Sequence, residues 1–208
     1  MNEVAVPDIV ISRLPLYLQI LNHMAKEGLH TVSSKDMSAR SGYSASQIRK
    51  DLSFFGGFGK QGRGYSIYHL IEQLQSILNV NRIWQAAVLG VGDLGRALTH
   101  YQGFAHQGIE IALLFDSDPK IVSTQVSSLI VQHVDNLEVE ITRLGLVMAI
   151  LTLPAEAAQA IANRLVDVGI RAILNYAPVK LRLPETVQVQ NIDPVLHLQH
   201  MMYYLRDC

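Results

Sequence analysis

The chain has 208 residues, of which 49% are hydrophobic, and its formal net charge is −1 at pH 7. That length allows one large domain or two modest ones, and the apolar content can fill real cores. The single cysteine, Cys208, excludes a disulfide scaffold and a cysteine-based metal site, and it favours a reducing compartment. The longest apolar stretch, residues 144–154, is too short to span a membrane, and residues 1–15 lack a signal-peptide pattern. We therefore expect a cytoplasmic protein with no membrane and no metal partner.

Charge is distributed unevenly along the chain. Residues 1–82 carry nine Lys or Arg against six Asp or Glu, whereas the remainder carries eight against twelve. A basic first third joined to an acidic remainder favours two modules with different partners, although scatter over two solvated surfaces explains the charges alone equally well.

Helical spacing dominates the first third of the chain. The first predicted helix has one apolar stripe, which ends at Gly28: Leu14, Leu18, Leu21 and Ala25. Two short helices follow, because Ser33 with Asp36 and Ser44 with Gln47 both have the spacing of a capping box. A tight, glycine-containing turn separates these helices, and this order predicts a helix-turn-helix.

The second of these helices and the loop after it carry basic residues. The apolar positions of the helix recur with helical spacing: Ala45, Ile48, Leu52 and Phe55. The side chains left pointing outward are Ser46, Gln47, Arg49, Lys50 and Ser53. The glycine-rich segment 56–64 predicts a hairpin wing with Lys60 and Arg63 at or near its tip. A helix over 67–78 then completes a predicted winged helix-turn-helix within residues 10–79.

This arrangement predicts double-stranded DNA as a partner. In winged helix-turn-helix proteins the second helix of the pair enters the major groove, and the wing contacts the flanking backbone. Arg49 and Gln47 can form bidentate hydrogen bonds with guanine and adenine edges. Lys50, Lys60 and Arg63 are better placed for phosphate contacts, which add affinity without sequence information. For any one of these residues an ordinary solvated surface is the alternative, but helix, turn and wing occur in the right order.

From Trp84 onward, short apolar runs alternate with helical stretches, which predicts β-α-β units and a parallel, doubly wound sheet. The five strand candidates lie within residues 84–90, 109–116, 145–153, 169–177 and 187–193. Helical stretches cover residues 93–105 and 154–169, a further helix lies near residues 135–145, and residues 127–138 are interpreted as a loop. Residues 194–205 predict a last helix that is apolar on more than one face, so we expect it to be buried, in part by a partner subunit.

The predicted fold class is therefore α/β: an N-terminal winged helix-turn-helix plus a C-terminal Rossmann-type parallel sheet. We assign a DNA-binding domain to residues 1–79, a Rossmann domain to residues 80–193, and a C-terminal dimerisation helix to residues 194–208.

A glycine-rich motif follows the first of these strands and opens a helix: Gly90, Val91, Gly92, Asp93, Leu94 and Gly95. In this pattern Gly90 makes a tight turn, Gly92 lets a pyrophosphate approach the backbone, and Gly95 permits close helix–strand packing. Asp116 ends the second strand, 21 positions beyond Gly95, where an acidic residue binds the ribose hydroxyls. Because a carboxylate there repels a 2′-phosphate, the sequence predicts NAD⁺ and NADH rather than their phosphorylated forms.

The sequence offers no evident catalytic residue. A dehydrogenase needs a proton donor or acceptor close to the nicotinamide, but His100, His106 and His133 have no obvious Arg or Asp partner in the sequence. The chain also ends after about five predicted strands with no substrate domain. We therefore predict a sensor that is not an enzyme. One alternative is an NAD-dependent oxidoreductase with an accessory DNA-binding module, and another is an architectural DNA-binding protein with a vestigial nucleotide fold.

The sequence closely resembles the Rex family of bacterial redox-sensing transcriptional repressors. Two motifs carry the resemblance, and they occur in the order expected for that family: residues 47–65 and residues 89–98. Residues 115–119, 153–159 and 174–179 support the resemblance, which covers nearly the whole chain. It implies a homodimer that binds a pseudo-palindromic operator and exchanges its C-terminal helices. It also implies that the protein binds DNA when NADH is scarce and releases it when NADH binds.

The resemblance implies roles for individual residues as well. The residues expected nearer the nicotinamide end of the ligand are Thr152, Pro154, Asn175 and Tyr176. The residues that match a ligand-dependent switch are Arg13, Tyr101 and Asp193. Val91 and Asp93 stand where many relatives have Ala and Asn, and Pro194 directly follows Asp193. We expect the neutral dihydronicotinamide to bind more tightly than the cationic ring, because burial of an unpaired charge is costly.

Overall fold

The computed structural model describes residues 6–56 and 64–205, and it divides into two units, residues 1–82 and residues 83–208. Within these described ranges, no helix is both long enough and apolar enough to cross a membrane.

The first unit is mostly helical. Its helices are α1 (Asp8–Ile11), α2 (Leu14–Lys26), α3 (Ser34–Ser41), α4 (Ala45–Ser53) and α5 (Ile67–Ile77). Two short strands, β1 (Thr31–Val32) and β2 (Tyr65–Ser66), pair antiparallel, with Val32 opposite Tyr65. Because β2 directly follows the predicted wing, this pair forms the base of a winged helix-turn-helix.

The apolar stripe of α2 is wider than the sequence predicts. Leu14, Leu18 and Leu21 are buried, whereas Ala25 is only partly buried. The stripe also includes Tyr17, Ile20 and Met24. These side chains pack with apolar residues of α4 and α5: Ile48, Leu52, Ile67, Leu70 and Leu74.

The two predicted capping boxes differ in the structure. At the start of α3 the box is complete, since the Ser33 hydroxyl accepts from the Asp36 amide and the Asp36 carboxylate accepts from the Ser33 amide. At the start of α4 only half of the box forms: the Ser44 hydroxyl accepts from the Gln47 amide at 3.1 Å. The Gln47 side chain turns instead to Asp51, a charged acceptor that forms a stronger hydrogen bond than a neutral one. The prediction of a second complete capping box is therefore wrong.

The second unit is built on one seven-stranded sheet. Its strands are β3 (Trp84–Leu89), β4 (Ile109–Asp116), β5 (Gln125–Val126), β6 (Leu129–His133), β7 (Met148–Leu151), β8 (Ala172–Asn175) and β9 (Gln188–Asn191). Their order in the sheet is β5-β6-β4-β3-β7-β8-β9. All neighbours are parallel except β5 and β6. The six parallel strands therefore follow the order 3-2-1-4-5-6 of a Rossmann fold.

Two strands of this sheet are absent from the sequence prediction. Residues 127–138 are not a loop, because Leu129–His133 form β6 and pair in parallel with β4. Few apolar residues of this segment face the core, and the side chain of Ile130 is exposed. The sequence pattern that would predict a strand here is therefore weak. Pairing with β4, which is distant in sequence, makes it a strand.

Helices cover both faces of the sheet. They are α6 (Asp93–Thr99), α7 (Gln102–His106), α8 (Leu137–Leu144) and α9 (Ala155–Asp167), and a last helix, α10 (Pro194–Met202), follows β9. The single helix predicted over 93–105 is broken at Tyr101, whose backbone is extended. Successive residues of β3 alternate between faces: Leu89 packs in the cluster that includes α8 and α9, whereas Val88 packs in the cluster on the other face. This alternation is the basis of the doubly wound sheet.

Candidate nucleotide site and nucleic-acid interface

The carboxyl ends of β4, β3 and β7 lie side by side, with Leu89 of β3 paired to Phe115 on one side and to Leu151 on the other. Gly90 and Thr152 directly follow two of these strands, and Asp116 ends the third. β3 is also where the strand order reverses. In open α/β sheets ligands bind in the crevice at such a switch point, so this edge is the candidate nucleotide site.

The three glycines of the motif have different surroundings. Gly90 has φ +91°, and a Cβ atom placed on it would lie 2.6 Å from the carbonyl oxygen of Thr152. A Cβ atom on buried Gly95 would collide with the carbonyl oxygen of Gly90, so α6 packs directly on the turn. A Cβ atom on Gly92 would meet nothing within 4 Å. Only Gly92, the N-cap of α6, therefore opens onto free space where a ligand could approach the backbone.

Asp116 is held by backbone amides on both oxygens. Val91 N donates to its Oδ2 atom at 2.6 Å, and Asp118 N donates to its Oδ1 atom at 2.9 Å. Each oxygen keeps a further lone pair, so the half-buried carboxylate is oriented and can still accept from a ribose hydroxyl. Val91 itself is buried, whereas Asp93 and Leu94 are exposed at the start of α6.

The residues expected near the nicotinamide follow β7 and β8. The Thr152 hydroxyl lies 2.6 Å from the carbonyl oxygen of Gly90, and Pro154 is exposed at the start of α9. Asn175 is 0% exposed; its amide nitrogen donates to Val179 O and Asn191 Oδ1 at 2.9 Å each, and its oxygen accepts from Ala177 N. The side-chain amide of Asn175 thus forms its hydrogen bonds within the protein. These bonds fix the turn that carries half-buried Tyr176.

A separate cavity of about 310 Å³ opens at the amino ends of β4 and β6. Its lining includes Tyr101, Phe104, Ile109 and Leu129. Because the strands are parallel, this cavity lies at the opposite edge of the sheet from Gly90 and Asp116. The chemistry of the glycine turn and of the carboxylate, rather than the volume of a cavity, locates the nucleotide site.

Two of the predicted switch residues lie in the second unit. Tyr101 is 60% exposed and contacts Phe104 edge-on, with the ring centroids 5.2 Å apart. Asp193 Oδ1 accepts from Val195 N at 2.9 Å and so caps α10. Residues of α10 and of the short turn after it leave large apolar side chains more than half exposed: Val195, Leu196, Leu198, Met201, Met202, Tyr203, Tyr204 and Leu205.

Helix α4 presents most of its predicted DNA-binding side chains to solvent. Ser46, Arg49, Lys50 and Ser53 are exposed, and Gln47 is partly exposed. Arg49 Nη1 donates to Ser34 Oγ at 2.9 Å, which lays the guanidinium along the start of α3. Lys60 and Arg63 lie outside the described residues.

Asp51 is the functional candidate that the sequence analysis missed. It is fully buried on α4, and it accepts from Arg13 Nε at 2.6 Å, Arg13 Nη2 at 2.7 Å, the Tyr17 hydroxyl at 2.7 Å and Gln47 Nε2 at 2.7 Å. Arg13, a predicted switch residue, is therefore engaged within the first unit. A signal did exist in the sequence, since Asp51 lies three positions after Ile48 on the apolar face, and a charge there requires partners.

The residues of this cluster shift one another's pKa values. Burial raises the pKa of Asp51, but hydrogen bonds from Arg13, Tyr17 and Gln47 together outweigh it, so the pKa lies below its usual range. Burial, together with the hydrogen bond to Asp51, raises the pKa of Tyr17. The hydrogen bond to Asp51 likewise raises the pKa of Arg13. Across the described parts of the chain, no cluster of His, Cys, Asp or Glu could hold a metal ion.

The fold and the two sites define a two-domain protein in which a winged-helix DNA-binding domain precedes a Rossmann domain. Two protein-family models agree with this division. Residues 5–53 match the model described as a putative DNA-binding protein N-terminus, and residues 81–179 match the CoA binding domain.

Curated relatives and solved structures identify the family. The redox-sensing transcriptional repressor Rex of Roseiflexus sp. (strain RS-1) is 47% identical over 96% of this chain and 90% of its own length. Rex of Streptomyces coelicolor is 37% identical over 96% of this chain and 77% of its own length. The crystal structure of RSP in complex with β-NAD⁺ and operator DNA has a TM-score of 0.93 and 35% identity, over 98% of this chain and 94% of that chain. The complex of RSP with β-NADH has a TM-score of 0.88 and 33% identity, over 98% and 96%.

The chain therefore belongs to the Rex family of redox-sensing transcriptional repressors. The predicted family and the predicted fold class are confirmed. Its relatives are regulators of transcription rather than enzymes.

Proposed function

We propose that this protein is a DNA-binding transcriptional repressor that senses the balance of NADH and NAD⁺. NAD(H) occupies the crevice at the carboxyl ends of β3, β4 and β7, and NADH binding releases the operator. One observation carries this proposal: over 98% of its length, both folds included, the chain is similar in structure to RSP. RSP is a Rex-family repressor that was crystallised with β-NAD⁺ and operator DNA and separately with β-NADH. Because the relatives are bacterial regulators that act on DNA, we also propose that this protein works in the cytoplasm.

The described contacts support a specific mode of NAD(H) binding. The pyrophosphate lies over Gly92, where the backbone is open, and against the amides of Asp93 and Leu94 at the start of α6. Asp116 accepts from the adenosine ribose hydroxyls. Thr152, Pro154 and Tyr176 lie toward the nicotinamide, whereas the burial of Asn175 gives it the role of holding the turn of Tyr176.

We place DNA binding on α4 and the wing. Ser46, Gln47 and Arg49 face base edges, while Lys50, Ser53, Lys60 and Arg63 contact the backbone. A homodimer fits this function, because a two-fold protein reads two half-sites of a pseudo-palindromic operator. The apolar surface of residues 195–205 needs a covering partner, which supports dimerisation through α10.

The domain assignment made from the sequence stays a proposal: a DNA-binding domain over 1–79, a Rossmann domain over 80–193 and a dimerisation helix over 194–208. We also retain Arg13, Tyr101 and Asp193 as the proposed switch residues. NADH acts on DNA binding only to the extent that its affinities for the two states of the dimer differ. We propose that the protein does not turn the dinucleotide over.

The decisive experiment is a mobility-shift titration. The protein first selects its preferred duplex from a random pool, and NADH or NAD⁺ is then added to the complex. Release by NADH at concentrations where NAD⁺ has little effect supports redox sensing. Equal responses to the two forms would rule it out, and failure to select any duplex would rule out a repressor.

A further inference from the structure

The buried Asp51 contacts a residue of the proposed DNA-binding surface. It lies on α4, the helix that we propose enters the major groove, and one of its four hydrogen bonds comes from Gln47, a residue proposed to face base edges. Arg13 and Tyr17 hold the carboxylate from α2 and its N-terminal end, so its oxygens have a fixed position. Tyr17 is buried, whereas Arg13 and Gln47 are partly exposed, and of these two only Gln47 lies on α4.

The chemistry of Asp51 decides which way the Gln47 amide points. An ionised carboxylate only accepts hydrogen bonds, so the Gln47 atom that faces it at 2.7 Å has to be the nitrogen Nε2. Asp51 uses one of the two amide hydrogens. The other hydrogen and the oxygen Oε1 remain as a donor and an acceptor, which is the combination that an adenine edge requires in the major groove.

We propose that Asp51 is a positioning residue for base recognition: it holds the Gln47 amide in one orientation and so fixes the order of donor and acceptor that α4 presents to DNA. This inference rests on the proposed DNA-binding function. A glutamine that is free to flip its amide can present either order, and it discriminates poorly between base edges. An ionised Asp51 prevents the flip, because the Gln47 oxygen would then face a carboxylate.

Ionisation of Asp51 is secured by its surroundings. The hydrogen bonds from Arg13, Tyr17 and Gln47 outweigh the effect of burial and hold the pKa of Asp51 below its usual range. Asparagine at this position would remove the constraint, since its amide can pair with either end of Gln47. Tyr17→Phe is the matched control, because it removes one donor to Asp51 and leaves the Asp51–Gln47 hydrogen bond in place.

The test measures selectivity rather than affinity alone. The wild-type protein selects its best duplex from a random pool, and dissociation constants are then measured for that duplex and for all its single base-pair substitutions. We expect Asp51→Asn to reduce discrimination about tenfold at one base pair of each half-site, the size of effect that a lost bidentate contact has. Gln47→Ala should affect the same base pair, the double variant Gln47→Ala/Asp51→Asn should lose nothing further, and Tyr17→Phe should keep the wild-type pattern.

Three results with the variants would overturn the inference: Asp51→Asn weakening all duplexes alike, Asp51→Asn keeping the wild-type selectivity, or its effect persisting undiminished in the Gln47→Ala background. Because Asp51→Asn leaves the partly buried Arg13 charge without its partner, the uncharged variant Arg13→Met/Asp51→Asn is measured beside it and judged by the same criteria. If the wild-type chain itself selects no duplex, the proposed function and this inference both fail. If the wild type selects DNA and the variants keep its selectivity, only this inference fails.

Discussion

The hydroxyl of Thr152 donates to the carbonyl oxygen of Gly90 at 2.6 Å, across 62 positions of sequence. The bond joins the turn after β7 to the glycine turn after β3, and Gly95 packs against the same carbonyl group. The shape of the candidate nucleotide site therefore depends on a contact between two strand ends.

Replacement of Thr152 tests this contact. Thr152→Val keeps the shape of the side chain but leaves the Gly90 carbonyl oxygen without this donor, so we expect a loss of about 1 kcal/mol in the free energy of unfolding. We also expect weaker NADH binding, measured by calorimetry. Thr152→Ser keeps the hydroxyl and is the control. If both variants behave alike, the hydrogen bond has no role in the site.

The glycines at positions 92 and 95 should respond differently to the same substitution. Gly95→Ala puts a methyl group against the Gly90 carbonyl oxygen, so we expect a loss of about 1–3 kcal/mol in unfolding free energy. Gly92→Ala puts it into open space and should change stability by less than about 0.5 kcal/mol. Both variants should bind NADH poorly in calorimetry. Normal NADH binding by Gly92→Ala would contradict the proposed position of the pyrophosphate.

Asp116→Asn should separate the two functions of the protein. The variant loses the charge that we propose binds the ribose hydroxyls, so we expect NADH affinity to fall about tenfold or more, as on loss of a hydrogen bond to a charged group. Discrimination against NADPH should also decrease, while DNA binding without ligand is unchanged. Asp118→Asn, an exposed neighbour, is the control. Loss of DNA binding with intact NADH affinity would reverse our assignment of the two sites.

The stabilising effect of Asp51 should depend on pH. Its pKa in the folded protein lies below the unfolded value of about 3.9, so its contribution is fully present above that value and is lost as the pH falls through the folded pKa. At neutral pH we expect Asp51→Asn to destabilise the first unit by about 3–5 kcal/mol, because it leaves Arg13 unpaired. The difference between variant and wild type should shrink below about pH 4. Hydrogen exchange in residues 14–26, measured in both proteins from pH 7 to pH 3, checks this, and a difference independent of pH would contradict it.

Because the apolar side chains of α10 are exposed, we expect that a charge introduced among them prevents dimerisation. Leu198→Asp places a carboxylate among side chains that are more than half exposed in the single chain, and we expect a monomer in sedimentation experiments at concentrations where the wild type is a dimer. Gln199→Glu adds the same charge at the neighbouring polar position and should leave the dimer intact. A dimer that survives Leu198→Asp unchanged would place the interface elsewhere.

The sequence alone determined the features that depend on neighbouring residues. The Ser33–Asp36 cap, the helical periodicity of α2 and the close packing of Gly95 on Gly90 each follow from interactions within a few positions. The order of these local patterns along the chain predicted the fold class, and the resemblance carried by residues 47–65 and 89–98 predicted the family. Both predictions are confirmed.

Only the tertiary structure decided the features that join distant segments. Leu129–His133 became a strand because β4 pairs with it, and Asp51 is held by Arg13 from 38 positions away. The Thr152–Gly90 bond is a third example. Periodicity and capping rules express interactions between residues that are close in sequence. A hydrogen bond or a strand pairing across tens of residues exists only once packing has brought both partners together.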